Sequence, residues 1–229
     1  MNFETFKSLV RISKEDICRE LFLENKSSIK IKKEGVAIKN LVRIFDAALH
    51  LSNKKGFFAM SLRDLSAATG LSMGALYSYF NSKEELLDML QRQGRTVITR
   101  VLVDQLKGVD DPWERMKRAI QTHLYLTEVM QSWFYFAYME TKNLKKKEQM
   151  LAIEAELFTE NIFSEIIEQG IKEGVFVDVN QELTAAAIKA MLQDWYLKRW
   201  KYAGRQVSVD DYARFLMDFV SAYFLPVNR

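Results

Sequence analysis

Residues 61–86 read SLRDLSAATGLSMGALYSYFNSKEEL, and this stretch decides the fold. Ser61 stands where an N-cap falls, ahead of Leu62, Leu65 and Ala68 at helical spacing, so the sequence predicts a helix of about two turns. Gly70 follows Thr69 where the chain must reverse, a place that favours a residue free to take left-handed angles. Ser72 is a second N-cap, and Ala75, Leu76, Tyr79 and Phe80 give the next helix an apolar side. Met73, Gly74, Tyr77 and Ser78 are left on the rest of its circumference, so residues 72–80 read as a projecting rod. Ser82-Lys83-Glu84-Glu85 then forms a predicted capping box. In it the Ser82 hydroxyl accepts from the Glu85 amide and the Glu85 carboxylate reaches back to Ser82.

Helix, glycine turn and helix make a helix-turn-helix unit, in which the second helix enters the DNA major groove and the first crosses the backbone. On this reading Ser61 and Ser72, with Lys83 and Tyr79, hold phosphates. Met73, Ala75, Tyr77 and Ser78 meet base edges and thymine methyls, and Arg63 and Gly74 complete the DNA-facing set. The second helix carries neither Arg nor Asn for a bidentate base contact. Specificity is therefore expected to draw on apolar contact, water and DNA shape.

Gly70-Leu71-Ser72-Met73-Gly74 also fits G-x-S-x-G, the serine elbow of hydrolases. A hydrolase with Ser72 as nucleophile needs a strand before the serine, whereas Asp64 to Ala68 read as an amphipathic helix. A third reading is a helical interaction adaptor without DNA binding.

Two prolines and nine glycines among 229 residues, with 48% hydrophobic content, predict an all-α chain with a sizeable core. The one cysteine, Cys18, forms no disulfide within the chain and suits a reducing cytoplasm. No run of about eighteen apolar residues is present, so no membrane span or export segment is expected. Residues 1–92 carry 15 Lys+Arg against 11 Asp+Glu, and the remainder carries 18 against 19. The basic excess thus belongs to the half with the helix-turn-helix, as phosphate neutralisation requires.

Ahead of this region, Ser13 caps a predicted helix over about 13–24. KSSIKIKKEG follows, with Ile29 and Ile31 alternating with Lys30 and Lys32. It reads either as an arm reaching phosphates or as a solvated linker, and the sequence favours the linker. A helix over about 36–54 precedes Phe57 and Phe58, with His50 a surface or core histidine rather than a metal ligand. Beyond the capping box, helices are predicted to about 106, from Pro112 with an Asp111 cap, and over 147–173, 181–203 and 208–225. The predicted buried set of the 181–203 helix includes Leu183, Ala187 and Ala190.

The most apolar aromatic cluster runs from Met130 to Met139. Core filling is its simpler reading, and His123 reads as a core residue in the same way. The second reading is a ligand pocket lined by Met130, Trp133, Phe134 and Tyr138, with Phe163, Met191 and Trp195 from later helices.

GLSMGALYSYFNSKEEL, preceded by SLRDLSAAT and NLVRIFDAALHLSNKKGF, resembles the N-terminal domain of the TetR family of bacterial transcriptional regulators over roughly residues 37–90. The resemblance implies three parts: an N-terminal extension (1–35), a three-helix DNA-binding domain (36–92) and a helical ligand-binding and dimerisation domain (93–229). It also implies a cytoplasmic homodimer, paired through the last two helices, that reads a palindromic operator, needs no cofactor or metal, and is not an enzyme. Asp194 to Trp200 loosely resembles members that sense fatty acyl compounds, so the expected effector is a lipophile such as a fatty acid or acyl-CoA. An aromatic cation is the rival if Glu128 or Glu140 faces the pocket.

Overall fold

A computed structural model describes residues 1–10 and 12–225, with only the backbone of Asn143. Arg11 and residues 226–229, which belong to the first and last expected domains, lie outside the described residues. Among the described residues every regular element is helical. The order is α1 (Phe3–Leu9), α2 (Lys14–Glu24), α3 (Glu34–Lys55), α4 (Leu62–Thr69), α5 (Met73–Leu76) and α6 (Lys83–Leu106). Then come α7 (Pro112–Val129), α8 (Gln131–Glu140), a short 3₁₀ turn, α9 (Lys146–Lys172), α10 (Gln181–Leu197), α11 (Arg199–Gly204) and α12 (Val209–Phe224). Among the described residues no helix is long and apolar enough to cross a membrane.

The chain divides into two compact units. One comprises Arg11–Val97 and Ser132–Ala152, the other Met1–Val10, Ile98–Gln131 and Ile153–Arg229. This division differs from three consecutive blocks: the first ten residues group with the late helices, the border in α6 falls after Val97, and most of α8 groups with the early helices.

In the unit containing α2 to α5, the core is built on α3, whose Leu41, Ile44, Phe45 and Ala48 are buried. α2 closes one side with Ile17, Cys18, Leu21 and Phe22, while Leu65 of α4 and Leu76 of α5 enter from elsewhere in the unit. Burial, with Asp46 nearby, pushes the Cys18 thiol up to about 12 and leaves it a core filler rather than a nucleophile. Trp133 packs edge-on against Phe45, 5.8 Å between ring centroids, and donates its indole N–H to the Leu90 carbonyl at 3.0 Å. A Cβ on Gly94 would lie 3.0 Å from that indole, so the glycine inside α6 is where Trp133 is admitted. Glu140 accepts from the Phe57 amide at 2.8 Å, which fixes the loop before α4.

The other unit is organised around α7, which begins at Pro112 with Asp111 accepting from the Glu114 amide at 2.7 Å. His123 is buried on it, with Nε2 3.3 Å from the Lys189 ammonium. Burial, reinforced by Lys189, holds that imidazole well below its ordinary pKa. Residues 1–12, with no strong signal in the sequence, include the helix α1. Asn2 caps it, Phe6 is fully buried, and both Phe3 and Phe6 lie against the Tyr125 ring.

The predicted helix over 181–203 is two helices, because Lys198 leaves helical angles between α10 and α11. The break lets Trp195, Tyr202 and Tyr212 cluster with centroids 4.8 to 5.0 Å apart. Arg199 lies over Trp195 and makes a fork of hydrogen bonds to Glu128 at 3.1 and 2.8 Å. The buried stripe of α10 is also rotated from the expected one. Ala185, Ile188, Leu192 and Trp195 are buried, whereas Leu183, Ala187 and Ala190, expected inside, are exposed. α9 divides along its length: Ile166 and Ile167 are buried, while Leu151, Ile153, Leu157 and Phe158 are exposed.

Gly170 sits in α9 where a Cβ would overlap the Phe176 ring at 2.0 Å. Gly170→Ala therefore displaces Phe176 from Trp113 and Phe224, and urea unfolding is expected to show a loss of about 1–3 kcal/mol.

Candidate nucleic-acid interface

The turn between α4 and α5 forms because both helices are capped and the residue between them accepts a positive φ. The Ser61 hydroxyl accepts from the Asp64 amide at 3.1 Å and Asp64 reaches back to the Ser61 amide at 2.8 Å, a full capping box. Lys55 pairs with the same carboxylate at 2.7 Å; hydrogen bonds from Lys55 and Ser61 hold Asp64 well below the usual carboxylate range. Gly70 takes φ +66°, and an added Cβ would lie 3.2 Å from the Arg43 guanidinium. Arg43 of α3 donates to the Thr69 carbonyl, which satisfies an orphan acceptor at the end of α4.

Ser72 caps α5 by accepting from the Ala75 amide at 3.2 Å. The helix is shorter than the sequence indicates. Regular α-helix ends at Leu76, and the Ser78 and Tyr79 amides bond three residues back, to Ala75 and Leu76, in a tightened turn. Leu76, Tyr79 and Phe80, at the i, i+3 and i+4 spacing of one helical face, stay buried through this tightened turn.

The predicted DNA-facing residues separate into three groups. Ser61, Arg63, Ser72, Gly74 and Tyr77 are exposed, and Met73, Ala75 and Ser78 are half-buried beside them. Lys83 is also half-buried: its ammonium donates to the Phe58 carbonyl at 2.8 Å and sits over the Phe57 and Phe58 rings, so it tethers that loop. Burial pushes its pKa down. Tyr79 does not reach the surface. It is 1% exposed and its hydroxyl accepts from the Asn40 side chain at 2.8 Å, so it seats α5 on α3 instead of holding a phosphate. At the start of α6 the Ser82 cap forms, but the Glu85 carboxylate passes Ser82 and accepts from the Asn81 amide at 2.6 Å.

The serine-elbow geometry is absent here. Ser72 follows α4 and a turn, its hydroxyl is engaged as an N-cap, and no strand precedes it among the described residues. The expected ligand residues fall in both units: Met130, Phe163, Met191 and Trp195 in the one with α7, Trp133, Phe134 and Tyr138 in the other. Trp133, Phe134, Phe163 and Trp195 are buried and Tyr138 is exposed. A surface cleft of about 400 Å³ beside Glu168, Lys172, Asp178 and Asn180 is lined by none of them. Glu128 and Glu140 are occupied by Arg199 and the Phe57 amide.

A capped helix-turn-helix with an exposed second helix, followed by further helices, defines a DNA-binding regulator. Residues 44–90 match the family profile described as bacterial regulatory proteins, tetR family, and residues 109–223 match the tetracyclin repressor-like C-terminal domain. The chain belongs to the TetR family of transcriptional regulators, a non-enzymatic class. It is 26% identical over 180 residues to the transcriptional repressor KstR2 of Rhodococcus jostii, covering 77% of this chain and 87% of that one. Its fold matches PfmR of Thermus thermophilus with a TM-score of 0.71 at 28% identity, over 82% of this chain and all of that one. It also matches AibR, solved with isovaleryl coenzyme A and operator DNA, with a TM-score of 0.69 at 19% identity, over 82% of this chain and 99% of that one.

Because Tyr79 is internal, Tyr79→Phe strands the Asn40 amide. Thermal unfolding is expected to show a loss of about 1 kcal/mol.

Proposed function

We propose that the chain is a homodimeric repressor that reads a palindromic operator through α4 and α5 and releases it when a small lipophilic effector binds. The observation that carries this is the exposed Ser72–Tyr77 edge of a helix whose other side is locked into α3. Ser72 offers a hydroxyl and Arg63 a charge to phosphates, whereas the Ser61 hydroxyl is already donated to Asp64 at 2.7 Å; Met73, Ala75, Tyr77 and Ser78 face base edges. In a two-fold dimer, two such edges about 34 Å apart match successive major grooves. DNA binding is assigned to residues 36–92, and effector binding and dimerisation to residues 93–229.

Exposed apolar stripes support the dimer. Phe215, Phe219 and Tyr223 of α12 are each more than half exposed at intervals of four residues, and Leu183, Ala187 and Ala190 line the outer side of α10. Aromatic stripes of this kind are the ordinary substance of a homodimer interface.

For the effector, AibR was solved with an acyl-coenzyme A, and a fatty acid or acyl-CoA is the corresponding proposal here. The buried Lys189 does not favour an anionic head group, because it is already paired with Glu156 at 3.3 Å. The rival aromatic cation loses its basis, because Glu128 and Glu140 are already engaged within the fold. Release requires the effector to favour one conformer over the other; a ligand binding both equally shifts nothing.

Two results are expected. Tyr77→Ala should weaken binding to a duplex enriched from a random library by the parent chain roughly tenfold or more, at the upper end of what one base-edge interaction contributes. Sedimentation should still show a dimer, and parental affinity would refute the assigned edge. Paired Phe215→Glu and Phe219→Glu should give a folded monomer with duplex binding abolished; a dimer that persists would place the interface elsewhere.

A further inference from the structure

Residues 26–33, KSSIKIKK, are fixed beside the C-terminal end of α5. The Lys30 amide donates to the Ser78 carbonyl at 2.8 Å, directly after the helix proposed to enter DNA. Ile29 is buried, which pins the segment to the unit's core. Upstream, the Ser28 and Ile29 amides both donate to the Asn25 carbonyl, at 3.0 and 2.9 Å. The Asn25 side chain donates to the Leu21 carbonyl at 2.8 Å and accepts from Arg92 of α6 at 3.1 Å. Downstream, α3 starts at Glu34. A solvated linker has none of these ties.

The side chains left over are cationic. Lys26, Lys30, Lys32 and Lys33 are exposed and form no ion pair among the described residues. Two other lysines of this unit are paired, Lys14 with Asp46 and Lys55 with Asp64, each at 2.7 Å. The neighbouring Glu34 is turned toward Arg19, 3.5 Å away, so it does not neutralise the run. Four exposed ammonium groups thus stand on a backbone bonded to the turn that follows α5.

We propose that residues 26–33 form a second DNA-contacting element, in which Lys30, Lys32 and Lys33 neutralise phosphates flanking the groove that α5 enters. The element adds affinity without base specificity, because ammonium groups read charge rather than sequence. This rests on α5 being the DNA-reading element.

The test uses the full chain and a duplex enriched by the parent from a random library. In the K30Q/K32Q/K33Q variant the backbone bond to Ser78 is kept, and the exposed side chains leave the core untouched. The slope of log affinity against log salt should fall by about 0.9 for each phosphate no longer neutralised, thus by about 2–3 in all, with affinity at about 0.1 M salt down roughly 10- to 100-fold. Each single Lys→Gln variant should lower the slope by up to about 0.9. A K142Q/K145Q/K147Q variant, which removes the same charge elsewhere in that unit, should keep the parental slope; an equal fall would assign the effect to net charge and overturn the proposal. A parental slope in K30Q/K32Q/K33Q, with binding still weakened in Tyr77→Ala, would overturn this proposal alone. A parent chain that enriches no duplex would overturn it together with the reading of α5.

Discussion

A helix of four residues does not hold itself. Isolated helices shorter than about 12–15 residues are marginal in water, so α5 exists only because its surroundings impose it. Ser72 closes its N-terminus, Gly70 sets the angle at which it leaves α4, and Arg43 fixes the carbonyl before that turn. Leu76, Tyr79 and Phe80 then draw its C-terminal side into the core built on α3. The exposed edge is the remainder of this arrangement, and its direction is set by which residues are buried. Tyr79 thus shapes the exposed edge without reaching the surface: the Asn40 bond orients the turn that presents Tyr77.

What was legible in the sequence was local. Caps at Ser61, Ser72, Ser82 and Asp111, and the glycine turn, each depend on residues within about four positions, and each forms where the pattern places it. The end of α5 was not legible in the same way: helical periodicity assigns Tyr79 and Phe80 to one more turn, and the tightened turn leaves no mark on that pattern because both residues are buried either way. The Glu85 carboxylate missed its expected partner by one residue for a related reason: Asn81 offers both a backbone and a side-chain donor to the same oxygen.

Long-range choices were the hidden part. On α10 two apolar stripes compete for the interior, and periodicity alone does not say which one wins. Trp195 decides it by stacking on Tyr212, which turns Ala185, Ile188 and Leu192 inward and leaves Leu183, Ala187 and Ala190 outside. α1 was unreadable for the same reason, because its seven residues are held by Tyr125 and Asp210, more than a hundred positions away. The capped turn was more legible than the packing of the aromatic residues, since a turn is defined by one short stretch and the packing by several helices.

The first half of α6 is tied to other elements of its unit at separate points. Asn25 bonds Arg92, Trp133 bonds the Leu90 carbonyl against Gly94, and Lys83 holds the loop of Phe57 and Phe58. Each tie fixes a different stretch, so this part of the helix carries α2, the basic segment and the loop before α4 as one body. Past Val97 the same helix continues into the other compact unit. A displacement of α6 therefore reaches α5 from two directions, through the capped Ser82 start of the helix and through Asn25, Ile29 and the Lys30–Ser78 bond. A displacement of this part of α6 would thus move α5 and residues 26–33 together, since both share the same short frame.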